Sequence, residues 1–183
     1  PNDYGVVAIV LVFTQILQVF VDSGLGNALI QKKDADELDF SSVFYFNIVW
    51  CLILYAIAYM TAPFISGFYD NGSMTPIIRT LCVIVIISGI KNVQQAYVTR
   101  TLQFKKFFYA TVAGMIVSGG VAIAFAFLDY GVWALVIQRI PSLLMDTVIL
   151  WVTVKWRPIL AFSFNRLKGL LSFGWKLLVA ALM

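Results

Sequence analysis

The sequence predicts an all-α protein, a polytopic bundle of transmembrane helices. Hydrophobic residues make up 61% of its 183 residues and charged residues 12%, whereas a soluble domain has about 45 to 50% apolar and about 25% charged residues. The mean hydropathy is +0.91. The apolar residues occur in runs near the roughly 20 residues that a membrane-spanning helix needs. The predicted spans are about 6–30, 40–62, 76–98, 107–128 and 132–154, with a truncated sixth span from about 170.

The first span follows a turn-rich segment, residues 1–5, and carries a polar stripe. Gln15, Gln18 and Asp22 are spaced i, i+3, i+7, which places them on one face of a helix. This pattern favours one long helix to about Ile30, with Asp22 roughly 15 Å from its cationic end. If the helix ends early, Asp22 is instead an acid at the membrane interface.

Prolines and small residues mark the next three spans. Pro63 is expected to break the second span, and Pro76 suits the first turn of the third. In the fourth span, Gly114 and Ser118 are four residues apart, a spacing that allows helices to approach closely in lipid. The third span has a polar stripe of its own, formed by Ser88, Lys91, Asn92, Gln95 and Thr99.

The fifth span carries charges in its interior. Arg139, Ser142 and Asp146 lie on one stripe of the helix. Because a charged residue in hydrocarbon costs about 2.5 to 3.5 kcal/mol on insertion scales, such residues normally face a bundle interior or a wet cavity. After this span, the basic and aromatic segment 162–168 is expected to lie in the interface.

The charged loops predict the orientation. The positive-inside rule places the basic loops in the cytoplasm and the acidic ones outside, and only Arg79 runs against the pattern. The chain starts without Met and ends within an apolar run, so we expect an internal fragment preceded by at least one helix. The basic loops hold Lys32, Lys33, Arg100, Lys105, Lys106, Lys155, Arg157, Arg166 and Lys168; the opposite ones hold Asp3, Asp70 and Asp129.

The chain lacks residues that several classes of function usually require. The chain has no histidine, and Cys51 and Cys82 lie in apolar runs, so we expect no metal, no cofactor and no disulfide framework. It lacks a phosphate-binding loop of the G-x-x-x-x-G-K-[ST] type, and its loops are too short for a catalytic domain. We therefore expect no enzyme. The cations lie in short loops rather than on a solvated face, so no nucleic-acid partner is expected.

Buried cations suggest an anionic ligand. Lys91 and Arg139 around a watery cavity would attract a phosphate group, for which the planar fork of arginine is well suited. The alternative is structural: Lys91 neutralises Asp22, or Asp146 pairs with a cation on a neighbouring helix. A direct pair between Arg139 and Asp146 is unfavourable, because seven residues separate their backbones by roughly 10 Å.

Short motifs in order along the whole chain resemble the polysaccharide transporter family, the Wzx-type oligosaccharide flippases that include colanic-acid and teichuronic-acid exporters. This family is part of the multidrug/oligosaccharidyl-lipid/polysaccharide superfamily. The motifs are Asp3-Tyr4-Gly5, Asp22-Ser-Gly-Leu-Gly26, Ala28-Leu-Ile-Gln-Lys32, Phe104-Lys105, Gly131-Val-Trp-Ala-Leu-Val136-x-Gln138 and Arg157-Pro158.

The resemblance implies a transporter of two six-helix lobes, of which this chain holds part of the first. It implies that undecaprenyl-diphosphate-linked oligosaccharides cross the bacterial cytoplasmic membrane, in a pathway shared with a glycan polymerase and glycosyltransferases and in contact with membrane lipids. The residues expected to bind substrate are Lys91, Arg139, Gln95 and Gln138. Asp22 and Asp146 are expected to be charge partners or ion-coupling acids.

Other functions remain possible at this point. A multidrug or lipid II exporter would belong to the same superfamily. A membrane glycosyltransferase or polymerase would require a large catalytic loop, and a bundle with only a scaffolding role would not need the cavity.

Overall fold

The computed structural model describes residues 2–22, 24–128 and 131–182, and within them all the regular structure is helical. Five stretches are long and apolar enough to cross a membrane: Ala8–Gln31, Glu37–Phe68, Met74–Arg100, Phe104–Phe127 and Trp133–Thr153. The predicted all-α, polytopic membrane fold is confirmed. The helices of the described residues are α1 (Asn2–Asp22), α2 (Leu25–Gln31), α3 (Glu37–Phe68), α4 (Met74–Arg100), α5 (Phe104–Phe127), α6 (Val132–Ile137), α7 (Arg139–Thr153) and α8 (Phe164–Leu182).

The first span differs from the single helix that the polar stripe favoured. Helix α1 begins at Asn2, inside the segment expected to be a turn, and α2 restarts the helix at Leu25. The interruption is at Gly24, whose φ of 67° is left-handed and favours a residue without a Cβ. A Cβ at Gly24 would also overlap the backbone of Gly174 in α8. The prediction of one uninterrupted helix is therefore wrong.

Helix α3 starts with a capping box and is longer than predicted. The Asp39 backbone N–H donates to Asp36 Oδ1 at 3.0 Å, and the Asp36 N–H donates to Asp39 Oδ2 at 3.2 Å. The expected break at Pro63 is wrong, because α3 continues to Phe68. Proline removes only one backbone hydrogen bond, and Pro63 lies on an exposed face where its ring displaces no packed neighbour.

Helix α4 is the centre of the bundle. It packs against α1, α2, α3, α5, α6 and α7, and Pro76 lies in its first turn as predicted. At Gly89 the helix comes so close to α3 that an added Cβ would lie 2.5 Å from the Cys51 sulfur. Cys51 and Cys82 are buried and free.

The fifth predicted span is divided in two. Helix α6 ends at Ile137 and α7 begins at Arg139. Pro141 explains the division, since it has no N–H for the Ile137 carbonyl and its ring crowds that carbonyl. The predicted span agrees with the stretch Trp133–Thr153, but its helix is not continuous, and the break is at Gln138, a predicted site residue.

A linker after α7 crosses the start of α3. The Ile159 and Ser163 backbone N–H groups donate to the hydroxyls of Ser41 and Ser42, each at 3.0 Å. Helix α8 then runs without a break from Phe164, and the interfacial position of 162–168 stays a prediction. Helix α8 is not among the five stretches named above, and a sixth span from about 170 stays a prediction.

The basic loops gather at one end of the bundle, as the charge pattern predicted. Arg100 at the end of α4 donates to the carbonyls of Leu29 at 2.8 Å and Lys33 at 2.7 Å, which ties α4 to the end of α2. The short turn 69–73 joins α3 and α4 at the opposite end. Asp129, assigned to an external loop, lies outside the described residues.

Candidate functional site

A polar cavity of about 600 Å³ lies between α1, α4, α5 and the α6–α7 pair. All six residues predicted as substrate-binding or charge-coupling line it, although the sequence places them on three separate predicted spans. Its walls carry many amide and hydroxyl side chains. The lining residues are Leu11, Thr14, Gln15, Gln18, Asp22, Ile84, Ser88, Lys91, Asn92, Gln95, Ser118, Gln138, Arg139, Ser142, Leu143 and Asp146.

Lys91 and Asp146 form an ion pair in the wall of this cavity. Lys91 Nζ lies 2.9 Å from Asp146 Oδ2, and the two side chains are 13% and 14% exposed. Of the two structural alternatives, the one in which Asp146 pairs with a cation on another helix is observed, and that cation is Lys91. The Lys91 ammonium has three donors, so the pair leaves protons for other acceptors in the cavity.

Gly114 on α5 has no side chain and so leaves room for the Asp146 carboxylate. A Cβ at Gly114 would overlap the Asp146 carboxylate and lie 2.9 Å from the Ser142 carbonyl oxygen. The predicted close approach of small residues is therefore observed at Gly114, whereas Gly119 and Gly120 have open space beside them. Asp146 Oδ1 is buried and accepts no hydrogen bond within the described part of the chain.

Asp22 and Gln18 connect α1 to α4 along the cavity. Asn92 Nδ2 donates to Asp22 Oδ1 at 3.0 Å, and Gln18 Nε2 donates to the Ser88 hydroxyl at 2.9 Å. The polar stripe of α1 thus faces the polar stripe of α4. Because these groups are hydrogen-bonded to each other, the free-energy cost of placing them between the helices is reduced.

Arg139 is the cation of the cavity that has no acidic partner. Its side chain is exposed and makes no hydrogen bond or ion pair with residues 2–22, 24–128 or 131–182. It lies at the start of α7, directly after the break at Gln138. A free guanidinium beside amide side chains is able to bind a phosphate or carboxylate in a bidentate way.

A smaller polar space extends from the cavity toward the basic end. It has a volume of about 260 Å³ and shares Asp22, Asn92 and Gln95 with the main cavity. Its wall continues to Thr99, one residue before the end of α4. The polar surface therefore continues along α4 from the middle of the bundle to the end where the cations gather.

An ion-pair network lies at the basic end of the bundle. Lys32 Nζ lies 2.6 Å from Asp39 Oδ2, and Arg166 pairs with Asp36 and, at 3.7 Å, with Asp39 Oδ1. The hydrogen bond from Arg166 lowers the pKa of Asp36, and the same bond raises the pKa of Arg166. The network joins the start of α3 to the start of α8.

The family comparison covers the full length of the chain. A model of a family described as polysaccharide biosynthesis protein matches residues 1–183. The chain belongs to this family. No solved structure matches it.

Among curated relatives, the chain is 27% identical to the teichuronic acid biosynthesis protein TuaB of Bacillus subtilis, over 88% of the chain and 34% of TuaB. It is 22% identical to the succinoglycan biosynthesis transport protein ExoT of Rhizobium meliloti, over 96% of the chain and 35% of ExoT. It is 21% identical to the lipopolysaccharide biosynthesis protein WzxC of Escherichia coli, over 94% and 36%. The chain thus spans about a third of the length of these relatives.

Several polar residues of the cavity were not predicted as site residues. Gln15, Gln18, Ser88 and Asn92 belong to the predicted stripes but were not assigned a role. Their signal was the helical spacing that also revealed Asp22 and Lys91. The role of Gly114 could not be found this way, because it depends on which helix lies opposite.

Proposed function

We propose that this chain forms part of a flippase that moves undecaprenyl-diphosphate-linked oligosaccharide across the bacterial cytoplasmic membrane for surface polysaccharide biosynthesis. It would act as a transporter and not as an enzyme. Its pathway partners would be glycosyltransferases that make the lipid-linked glycan and a polymerase that uses it. The single observation that carries the proposal is the cavity, which gathers charged and amide side chains between helices long and apolar enough to span a membrane.

The chemistry of the cavity fits such a substrate. Arg139 has a free guanidinium for a diphosphate oxygen, and Lys91 has protons left after pairing with Asp146. Gln95 and Gln138 would donate to and accept from sugar hydroxyls, because a carboxamide has both kinds of group. The family match and the relatives in teichuronic acid, succinoglycan and lipopolysaccharide biosynthesis support a glycan as cargo.

The two carboxylates have different surroundings and therefore different roles in this proposal. Asp146 is a charge partner that holds Lys91, whereas among the described residues Asp22 accepts a hydrogen bond from the Asn92 amide alone. Asp22 is therefore the better candidate for an ion-coupling acid. Moving substrate and ion in opposite directions would require the cavity to face each side of the membrane in turn.

Genetic complementation tests the proposal. The complete protein that carries this chain is expressed in a strain lacking its own exporter, as wild type, Arg139→Ala, Arg139→Lys and Lys168→Ala. We expect Arg139→Ala to lower surface polysaccharide at least about tenfold, because it removes charge-assisted hydrogen bonds to the diphosphate. Arg139→Lys should retain part of the activity, and Lys168→Ala, which removes an exposed cation outside the cavity, should retain it all.

Two outcomes would contradict the proposal. Normal surface polysaccharide from Arg139→Ala and Lys91→Ala at equal expression would remove these residues from substrate binding. Failure of the wild type to restore polysaccharide, together with a gain in drug resistance, would instead favour a multidrug exporter.

A further inference from the structure

Arg79 lies away from the cavity and from the basic end of the bundle. It is on α4, five residues after Met74, near the turn that joins α3 to α4. The sequence pattern already set it apart as the one cation that conflicts with the predicted orientation. Its surroundings show why a cation is placed there.

The Arg79 side chain is held in a defined position without an acidic partner. Its guanidinium carbon lies 4.1 Å from the centroid of the Tyr59 ring on α3, a stacking arrangement that attracts a cation. Its Nε atom is buried and makes no hydrogen bond within the described residues. In those residues no carboxylate lies within 4 Å of its nitrogens. Within the described residues, the charge of Arg79 is therefore not neutralised by a carboxylate.

A groove of about 440 Å³ runs beside this arginine between α3 and α4. It is lined by Tyr59, Thr75, Pro76, Arg79, Thr80 and Val83. The Thr80 hydroxyl donates to the Pro76 carbonyl at 2.8 Å, whereas the Thr75 hydroxyl has no hydrogen bond within the described residues and is free to donate. One end of the groove is thus polar and cationic, and Val83 makes the other end apolar.

The position of Arg79 along α4 suits a contact with lipid headgroups. Helix α4 has 27 residues, about 40 Å at 1.5 Å per residue, and Arg79 lies about 7.5 Å from its start. A bilayer of about 40 to 45 Å includes a hydrocarbon core of about 30 Å, which leaves roughly 5 to 7.5 Å for headgroups on each side. With the start of α4 at the outer edge of the headgroup region, Arg79 would lie at the level where lipid phosphates meet the hydrocarbon.

We propose that this groove binds the phosphate group of a membrane lipid in the leaflet nearest the α3–α4 turn. Arg79 supplies a fork of N–H donors, Tyr59 holds the guanidinium in place, and the acyl or prenyl chain follows the groove past Val83. The ligand is a phosphate ester, either of a phospholipid or of a polyprenyl phosphate. The site is outside the transport cavity, so the proposal does not depend on the proposed function.

Native mass spectrometry of the complete protein tests this site. Delipidated protein is mixed with phosphatidylglycerol, a polyprenyl phosphate, a diacylglycerol with the same chains or inorganic phosphate, and the apparent Kd of the first bound molecule is measured. The variants are Arg79→Ala, Arg79→Lys and, as a control cation at the other end of the bundle, Lys105→Ala. We expect Arg79→Ala to weaken phospholipid binding about tenfold, Arg79→Lys to weaken it less, and Lys105→Ala to leave it unchanged.

The other ligands separate the possible sources. Tighter binding of the polyprenyl phosphate than of phosphatidylglycerol would identify the lipid carrier as the ligand, and the reverse order would identify a phospholipid. The proposal would be overturned if diacylglycerol bound as tightly as phosphatidylglycerol, or if Arg79→Ala bound the phospholipid as tightly as the wild type. Binding of inorganic phosphate without binding of either lipid would also overturn it. If Arg79→Ala does not fold, Tyr59→Leu and Tyr59→Phe replace it: loss of the ring should weaken binding, and loss of the hydroxyl alone should not.

Discussion

Individual residues of the cavity differ in a way that the sequence does not show. Lys91 and Arg139 are both intramembrane cations, and both were predicted to bind substrate. In the structure Lys91 has an acidic partner, whereas Arg139 has none within the described residues. Helical spacing predicted that both would face the same interior. It could not predict the Lys91–Asp146 pair, because pairing depends on how two distant helices pack.

The Lys91–Asp146 pair should contribute strongly to stability when only one partner is removed. Both side chains are largely buried, and a buried charge left without its partner costs about 3 to 5 kcal/mol. We therefore expect Lys91→Met and Asp146→Leu each to lower the unfolding temperature of the purified protein more than the double variant does. The measurement is thermal unfolding followed by tryptophan fluorescence, arranged as a double-mutant cycle. Additive effects would show that the two charges do not interact.

At the scale of helices, proline interrupts the helix at one position and not at another. Pro63 leaves α3 intact, whereas Pro141 coincides with the division between α6 and α7. Sequence reasoning predicted a break at the first and none at the second. Pro63 lies on an exposed face well inside α3, whereas Pro141 is half-buried and lies in the first turn of α7. Polar stripes were predictable because their spacing is a property of one helix alone.

Gly114 should be required for the contact between α5 and α7. An added methyl group would overlap Asp146 and crowd the Ser142 carbonyl, and such overpacking typically costs about 1 to 3 kcal/mol. We expect Gly114→Ala to lower the unfolding temperature and to reduce transport, because Asp146 must move away from Lys91. Gly119→Ala on the same helix is the matched control.

The control substitution Gly119→Ala should not destabilise the protein. Gly119 has open space beside it, and alanine is favoured over glycine within a helix by up to about 1 kcal/mol. Gly119→Ala should therefore leave the unfolding temperature unchanged or raise it. Equal effects of the two substitutions would mean that the space beside Gly114 is not needed.

At the scale of the whole molecule, the apolar runs predicted the five stretches of the described residues that are long enough to cross a membrane, and the charges predicted that the basic loops lie at one end. They did not predict that some of these cations form hydrogen bonds that stabilise the fold. Arg100 caps the end of α2, and Arg157 donates to the carbonyls of Val154 at 2.7 Å and Trp156 at 2.8 Å. The cavity itself was predicted only as a shared polar interior, since its shape depends on the packing of α1, α4 and α7.

Labelling of introduced cysteines tests the central claim, that the charged stripes surround a water-filled cavity. Ser142→Cys lines the cavity and Val148→Cys lies on an exposed apolar face of the same helix, while the native Cys51 and Cys82 are buried. With a water-soluble, membrane-impermeant thiol reagent applied to the complete protein in membranes opened to both sides, we expect rapid labelling of Ser142→Cys and slow labelling of Val148→Cys and wild type. Equally slow labelling of both variants would contradict the account.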